Sequence, residues 1–288
     1  MKNNNLISIM MPAFNAEKTI LTALKSLQYQ TYTNWECIIV NDGSTDKTLN
    51  ILKSLNDKRF KIYSFTENKG RGIARQFALE KCKGEFIAML DADDWYYHDK
   101  LEKQIIFLLE HPEIDLVSCG FVIQKNKTAY AARGIGESEI KTFKKPNKVP
   151  VPHASSLFKR KITINQTYDP NLKLGQDMDF LRHILIGRKY ALLNFPGYVY
   201  DEYTSNNFKK INQSYLYSAK SYLKFIKKYP FTSLKNASLE YIKIIRLYIH
   251  SKLFGFNSLL EKRSQKITEE QRIEYNKNLF MLENYNNN

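Results

Sequence analysis

Four short, almost wholly apolar runs punctuate the N-terminal third of the chain. Each is followed by a stretch whose apolar residues recur at helical spacing. The runs are LISIMM (6–11), WECIIVN (35–41), FKIYSF (60–65) and FIAML (86–90). Ile20, Ala23, Leu24 and Leu27 share one helical face between the first two, and Leu49, Leu52 and Leu55 another between the second and third. Further helices are expected over 70–82 and 100–110, with a fifth strand at DLVSCGF (115–121). Strands that alternate with helices predict an α/β fold: a mostly parallel, Rossmann-like sheet flanked by helices. Strands apolar along their whole length are those buried on both sides.

In such a sheet, ligands gather outside the carboxyl ends of the strands. Pro12, Phe14 and Asn15 follow the first strand, Asp42 and Ser44 the second, Asn68, Lys69 and Arg71 the third, and Asp91, Asp93 and Asp94 the fourth. All four polar clusters should converge on one edge. The three acids are the sharpest signal, because carboxylates this close raise one another's pKa unless something positive stands among them. Alternate residues of an extended strand end point the same way. Asp91 and Asp93 are therefore expected to face one site, with Asp94 turned aside. Oxygen donors suit a hard divalent ion, Mg2+ or Mn2+, with positions left over for phosphate oxygens. The bland reading is a solvated acidic turn that caps the next helix, a role open to Asp99 as well. Ser44, Thr45 and Asp46 read as caps of the helix after the second strand. Asp42 is placed to accept hydrogen bonds from a base or ribose. Phe14 suits either stacking on a flat ring or core packing. Lys69, Arg71 and Arg75 in ENKGRGIARQFAL (67–79) make an anion-facing helix start, without a Walker loop or dinucleotide fingerprint.

Composition narrows the classes. The 288 residues carry a formal net charge of +15, which points to an anionic partner or to a biased genome. No zinc-finger spacing or RNA-binding signature accompanies it, so nucleic acid is not expected. Cys37, Cys82 and Cys119 are widely spaced and read as reduced core thiols. No secretory leader or run long enough to span a bilayer is read, and the expected location is cytoplasmic.

After residue 125 the alternation fades. The basic, proline-rich KTFKKPNKVPVP (141–152) reads as a loop or mobile flap, and YDPNLKLGQDMDFLRHIL (168–185) as a turn feeding a helix with Asp177 near its start. Residues 214–229 form a basic amphipathic helix with Leu216, Ala219, Leu223 and Ile226 on one side, and 239–253 repeat the idea. The polar tail beyond residue 261 is expected to fray. The organisation expected is one α/β domain in two halves, 1–125 and 126–205, and a C-terminal helical region over 206–288.

ISIMMPAFNAEKTI, IIVNDGSTDKT, ENKGRGIARQFAL, FIAMLDADDW and GQDMDF occur in this order and spacing. As an ordered set they resemble the family-2 nucleotide-sugar glycosyltransferases of the GT-A fold, over roughly residues 6–185. The resemblance implies a nucleoside-diphosphate sugar donor (UDP being the commonest), a divalent metal, and inversion at the anomeric carbon. It places Pro12, Phe14, Asn15 and Glu17 in the nucleotide pocket and gives Asp42 the base. It sets Asn68, Lys69 and Arg75 beside nucleotide or phosphate, Asp91 and Ala92 against the ribose or sugar, and Asp93 on the metal. Asp177 takes the position of the catalytic base. The family's late acidic pair reads Glu-Asp, whereas here Gln176 precedes Asp177, which leaves Asp179 as the other acid nearby. Q-x-x-R-W and spanning helices are absent, so a non-processive enzyme is implied. Its acceptor would be a glycan or a lipid-diphosphate-linked glycan in bacterial surface polysaccharide synthesis. The basic C-terminal helices would suit peripheral contact with an anionic membrane surface, or simply cover the core. Two rivals are a sugar-phosphate nucleotidyltransferase, which usually needs a Gly-rich basic loop after the first strand, and a non-catalytic nucleotide-sugar binder.

Overall fold

The computed structural model of the protein is described over residues 5–200, 208–256 and 265–285. Its centre is β1 (Ile7–Ala13), paired in parallel with β2 (Trp35–Asp42) and with β4 (Phe86–Met89). β3 (Phe60–Phe65) adds to β2, also in parallel. β1 and β4 lie in the middle and β2 beside them, all almost fully buried, which is why they read as unbroken apolar runs. β3 is an edge and only half buried.

The period of two along β1 sorts its side chains into two cores. Ile7, Ile9, Met11 and Ala13 pack against α1 (Ile20–Gln28), α2 (Thr48–Lys53) and α4 (Lys100–Glu110). Met10 faces the other way, with Ile38, Val40, Ile87 and Met89, onto α3 (Arg71–Lys81) and α5 (Gln176–Leu185). The three cysteines are free and buried.

Beyond β4 the sheet departs from simple alternation. β6 (Leu116–Lys125), the expected fifth strand, is separated from β4 by β9 (Ser156–Lys159), which runs antiparallel to both. Two strands lie in the stretch after residue 125, where the alternation fades; the second ends at Thr142, and the expected loop is free of helix and strand from residue 143 to 152. β7 (Thr128–Arg133) pairs antiparallel with β6, and β8 (Glu139–Thr142) with β10 (Lys189–Tyr200). β10 lies parallel to β6 and also holds the two-residue β5 (Trp95–Tyr96).

The C-terminal region has two long helices, α6 (Phe208–Leu223) and α7 (Pro230–Phe254), packed on one another. The boundary expected at 205/206 lies outside the described residues. Past β11 (Gln265–Lys266) comes α8 (Glu269–Glu283), started by a capping box of Thr268 and Gln271. This helix corrects the expectation of a frayed tail. Tyr275 and Leu282 are buried against Trp95, Tyr97 and Val199, and the residues 286–288 lie outside the described set. Among the described residues no helix is long and apolar enough to cross a membrane.

Candidate active site

A cleft of about 1480 Å3 opens where the carboxyl ends of β1 to β4 meet. All four polar clusters line it. From the first loop come Pro12, Phe14, Asn15 and Glu17, and from the second Asp42 and Asp46. Asn68, Lys69, Arg71 and Arg75 line it from the third, and Asp91, Ala92, Asp93 and Asp94 from the fourth. Asp177 reaches the same cleft from the first turn of α5. Phe14 is 47% exposed, which excludes the core-packing reading and leaves its ring open to the cleft.

The first two loops are clasped together by side chains that the sequence reading took for helix caps. Asn15, in the left-handed region at φ 49°, donates its N–H to Ser44 Oγ at 3.0 Å and accepts from the Thr45 N–H at 2.9 Å. The Glu17 N–H donates to Asp46 at 3.0 Å, and the Glu17 carboxylate accepts from the Lys47 N–H at 3.0 Å. The α2 helix begins later than expected, at Thr48; the residue before it, Lys47, makes no side-chain cap, and the Thr48 N–H goes to Asp46 at 2.9 Å. Ser44 and Thr45 therefore bridge loops. Asp46 holds the N–H groups of both Glu17 and Thr48; loss of water raises its pKa, but the Thr48 hydroxyl and these N–H groups outweigh that and hold it below the ordinary value.

Asp42 is 2% exposed, and its carboxylate accepts from the N–H groups of Lys69 (2.8 Å) and Gly70 (3.0 Å). This fastens the third loop to the end of β2. The approach requires glycine at position 43: φ is +66°, and a Cβ there would lie 2.3 Å from the Glu67 carbonyl carbon.

The three acids after β4 have different partners. Asp91 meets the buried guanidinium of Arg75 at 3.1 Å. Burial alone would lower the pKa of Arg75, but the carboxylates of Asp91 and Asp177 outweigh it and raise that pKa above its ordinary value. Asp94 is 2% exposed and accepts the Tyr198 hydroxyl, and it lines the cleft together with that tyrosine. Asp93 is exposed. Its charge is felt by Lys210 of α6, whose pKa is lowered by burial and by Arg71 against the pull of Asp93. Among the described residues no group of three or more His, Cys, Asp or Glu side chains could hold a metal alone. Exposed Asp93 and neighbouring Asp91 do fit a hard cation that takes its remaining oxygens from a bound phosphate and water.

Asp177 and Asp179 are separated cleanly. Asp179 is 2% exposed, accepts from Ser221 and lies 2.8 Å from Lys224 Nζ, both on the C-terminal side of the chain. It does not line the cleft, so the acid on the cavity is Asp177.

Lys210 and His153 are among the cleft residues that sequence reasoning did not single out. Lys210 lies in a segment whose basic residues look alike. His153 sits in the turn before β9, a strand too short to signal itself.

With this geometry in place, the comparisons are specific. The profile of glycosyl transferase family 2 matches residues 8–165. An uncharacterised glycosyltransferase of Rickettsia typhi is 31% identical over 268 residues, covering 86% of this chain and 82% of that protein. The UDP-Glc:alpha-D-GlcNAc-diphosphoundecaprenol beta-1,3-glucosyltransferase WfgD of Escherichia coli is 42% identical over 106 residues, or 37% of this chain, and that match spans only 42% of the relative. Among solved structures, S. aureus TarS 1-349 in complex with UDP-GlcNAc superposes with a TM-score of 0.64 at 18% identity, over 96% of this chain and 80% of that one. The fold is GT-A with C-terminal helices added, and the chain belongs to glycosyl transferase family 2.

Proposed function

We propose that the protein transfers one sugar at a time, with inversion, from a nucleoside-diphosphate donor of the UDP type to a glycan or lipid-diphosphate-linked acceptor. The observation that carries this reading is the convergence of Asp42, Asp91, Asp93 and Asp177 on one cleft that also receives Lys69, Arg71, Arg75 and Lys210. Acids of this kind can read a nucleoside and share a cation, and the basic groups can take up the charge of a diphosphate. In a single displacement, the acceptor oxygen bonds to the anomeric carbon as the bond from that carbon to the diphosphate oxygen breaks. The leaving nucleoside diphosphate keeps the electron pair, and Asp177 takes the acceptor hydroxyl's proton. A Mg2+ or Mn2+ ion held by Asp93, when bound, supplies charge stabilisation at the departing diphosphate. The donor half is assigned to 1–125 and the acceptor half to 126–205.

Membrane contact belongs to the same reading. Lipid-linked acceptors lie at a bilayer surface, and the outward face of α7 exposes Leu234, Ile242, Ile245 and Ile249.

Asp177→Asn is the direct test. Donor affinity, measured by calorimetry, should stay within about twofold, while transfer, followed as nucleotide release, should fall roughly 100- to 10,000-fold. Full transfer by this variant would remove Asp177 as the base. The two rivals separate in a mixture of sugar nucleotide and metal without acceptor. Slow hydrolysis of the donor marks the transferase, pyrophosphorolysis on adding pyrophosphate marks a nucleotidyltransferase, and no turnover marks a binder.

A further inference from the structure

One ring on the cleft wall has no role in the reaction written above. His153 is 2% exposed. Its ring is held by three aromatic neighbours: Phe158, Tyr168 and Phe180. Tyr168 is itself stacked on Phe180, with centroids 4.1 Å apart. The Tyr168 N–H donates to Gln76 Oε1 at 3.0 Å, and its hydroxyl lies 2.9 Å from His153 Nε2. One ring nitrogen is therefore fixed. The other, Nδ1, is buried and has no hydrogen-bond partner among the described residues. Buried polar atoms in native chains are nearly always met by some partner, and His153 is one of the residues that line the cleft.

The charges that act on the ring are Arg75, Asp177 and Asp91. These are the groups of the reacting end of the cleft, whereas Phe14 and Asp42 belong to the nucleoside end in the reading above. Burial, then Arg75, bring the pKa down to about 4, so the ring is neutral at neutral pH. A neutral imidazole with one nitrogen fixed offers the other as donor or acceptor, according to which way the Tyr168 hydroxyl points. A sugar hydroxyl complements either form.

We propose that His153 reads the transferred sugar: its Nδ1 hydrogen-bonds a hydroxyl of that sugar, with Tyr168 holding the ring in place. The inference rests on the transferase reading and concerns the same cleft.

Two substitutions separate the ring's nitrogens. His153→Gln carries its amide to the place of Nε2, keeps a partner for Tyr168 and vacates Nδ1. His153→Asn places its amide near Nδ1 and gives up the Tyr168 contact. Titrate wild type and both variants by calorimetry, in manganese buffer, with UDP, UDP-glucose, UDP-GlcNAc, GDP and GDP-mannose. Thermal denaturation checks that each variant is folded. The readout is the ratio of sugar-nucleotide affinity to the affinity for the matching nucleoside diphosphate. That ratio should fall about tenfold in His153→Gln and stay within about twofold of wild type in His153→Asn. A ratio unchanged in the Gln variant, or lost equally in both, overturns the assignment and leaves His153 as scaffold. If wild type binds none of the five compounds, the transferase reading falls and this one with it. If wild type binds them and only the ratio fails to respond, this inference alone is wrong.

Discussion

Asp91, Asp93 and Asp94 are three copies of one side chain within four positions, and their surroundings divide them. Arg75 neutralises Asp91, Tyr198 occupies Asp94, and Asp93 remains exposed at the cleft. That division predicts an asymmetric response to substitution. Asp93→Asn should weaken manganese-dependent donor binding by about tenfold or more and leave the EDTA-treated protein's affinity unchanged. Equal affinity with and without EDTA in wild type would remove the metal from the site. Asp94→Asn should instead lower stability, because the phenol of Tyr198 loses its charged acceptor. His153 gives a pH signature. Its folded pKa, about 4, lies below the ordinary 6.5, so the unfolded chain binds more protons between those values. Stability is fully present above about pH 6.5 and declines as pH falls toward 4, by about 3 kcal/mol at most. Urea unfolding at pH 7 and pH 4.5 should show a smaller drop in His153→Gln than in wild type. At this scale the acids were legible in the sequence, because they follow strands that announce themselves. The partner of Asp91 was not, since Arg75 was read beside phosphate and its contact with Asp91 depends on how α3 crosses the sheet.

Helices and strands divide along similar lines. β1, β2 and β4 could be read because burial on both faces demands continuous apolar sequence, and α1 and α4 because one face alone is buried. β8 is exposed along all four residues, and β9 is four residues whose partners lie far away in the chain. Neither carries a periodic signal long enough to read, and pairing, not pattern, makes them strands. α8 has no single apolar face; its helix is set by the capping box and by contacts that only the folded protein provides. The α5–α6 junction is the element-scale test. Asp179 joins Ser221 and Lys224 there, and Lys224 also meets Asp169 at 2.6 Å. Removing a buried carboxylate strands its partners, so Asp179→Ala should cost about 3 kcal/mol and lower Tm by roughly 5–10 °C. Nucleotide affinity at low temperature should change little, unlike transfer in Asp177→Asn. A variant with normal Tm and no activity would return Asp179 to the cleft chemistry.

On the scale of the whole molecule, charge and apolar surface coincide. Residues 208–256 hold ten Lys or Arg and a single acid, Glu240, which is buried and meets Lys243 at 2.7 Å. The same region exposes a stripe on α7 on the side away from α6: Phe231 (88%), Leu234, Ile242, Ile245, Ile249 and Leu253. Leu247 and Ala237 fill the buried side. A stripe of this kind, rimmed by cations, fits the headgroup region of an anionic bilayer. The protein should sediment with vesicles containing phosphatidylglycerol and less so as salt rises. A double change, Ile245→Glu with Ile249→Glu, should reduce that binding at least tenfold and leave nucleotide affinity intact. Undiminished sedimentation would assign the stripe to another occupant.

The seat of α8 bears on how the protein is made. The His98 N–H donates to Asn278 at 3.2 Å, 180 positions further along the chain, beside the stacked Trp95 and Tyr97 that Tyr275 covers. At 5–20 residues per second a ribosome needs roughly 10–40 s to cover that distance. For that interval Trp95 and Tyr97 lack the cover that Tyr275 and Leu282 give them in the finished fold.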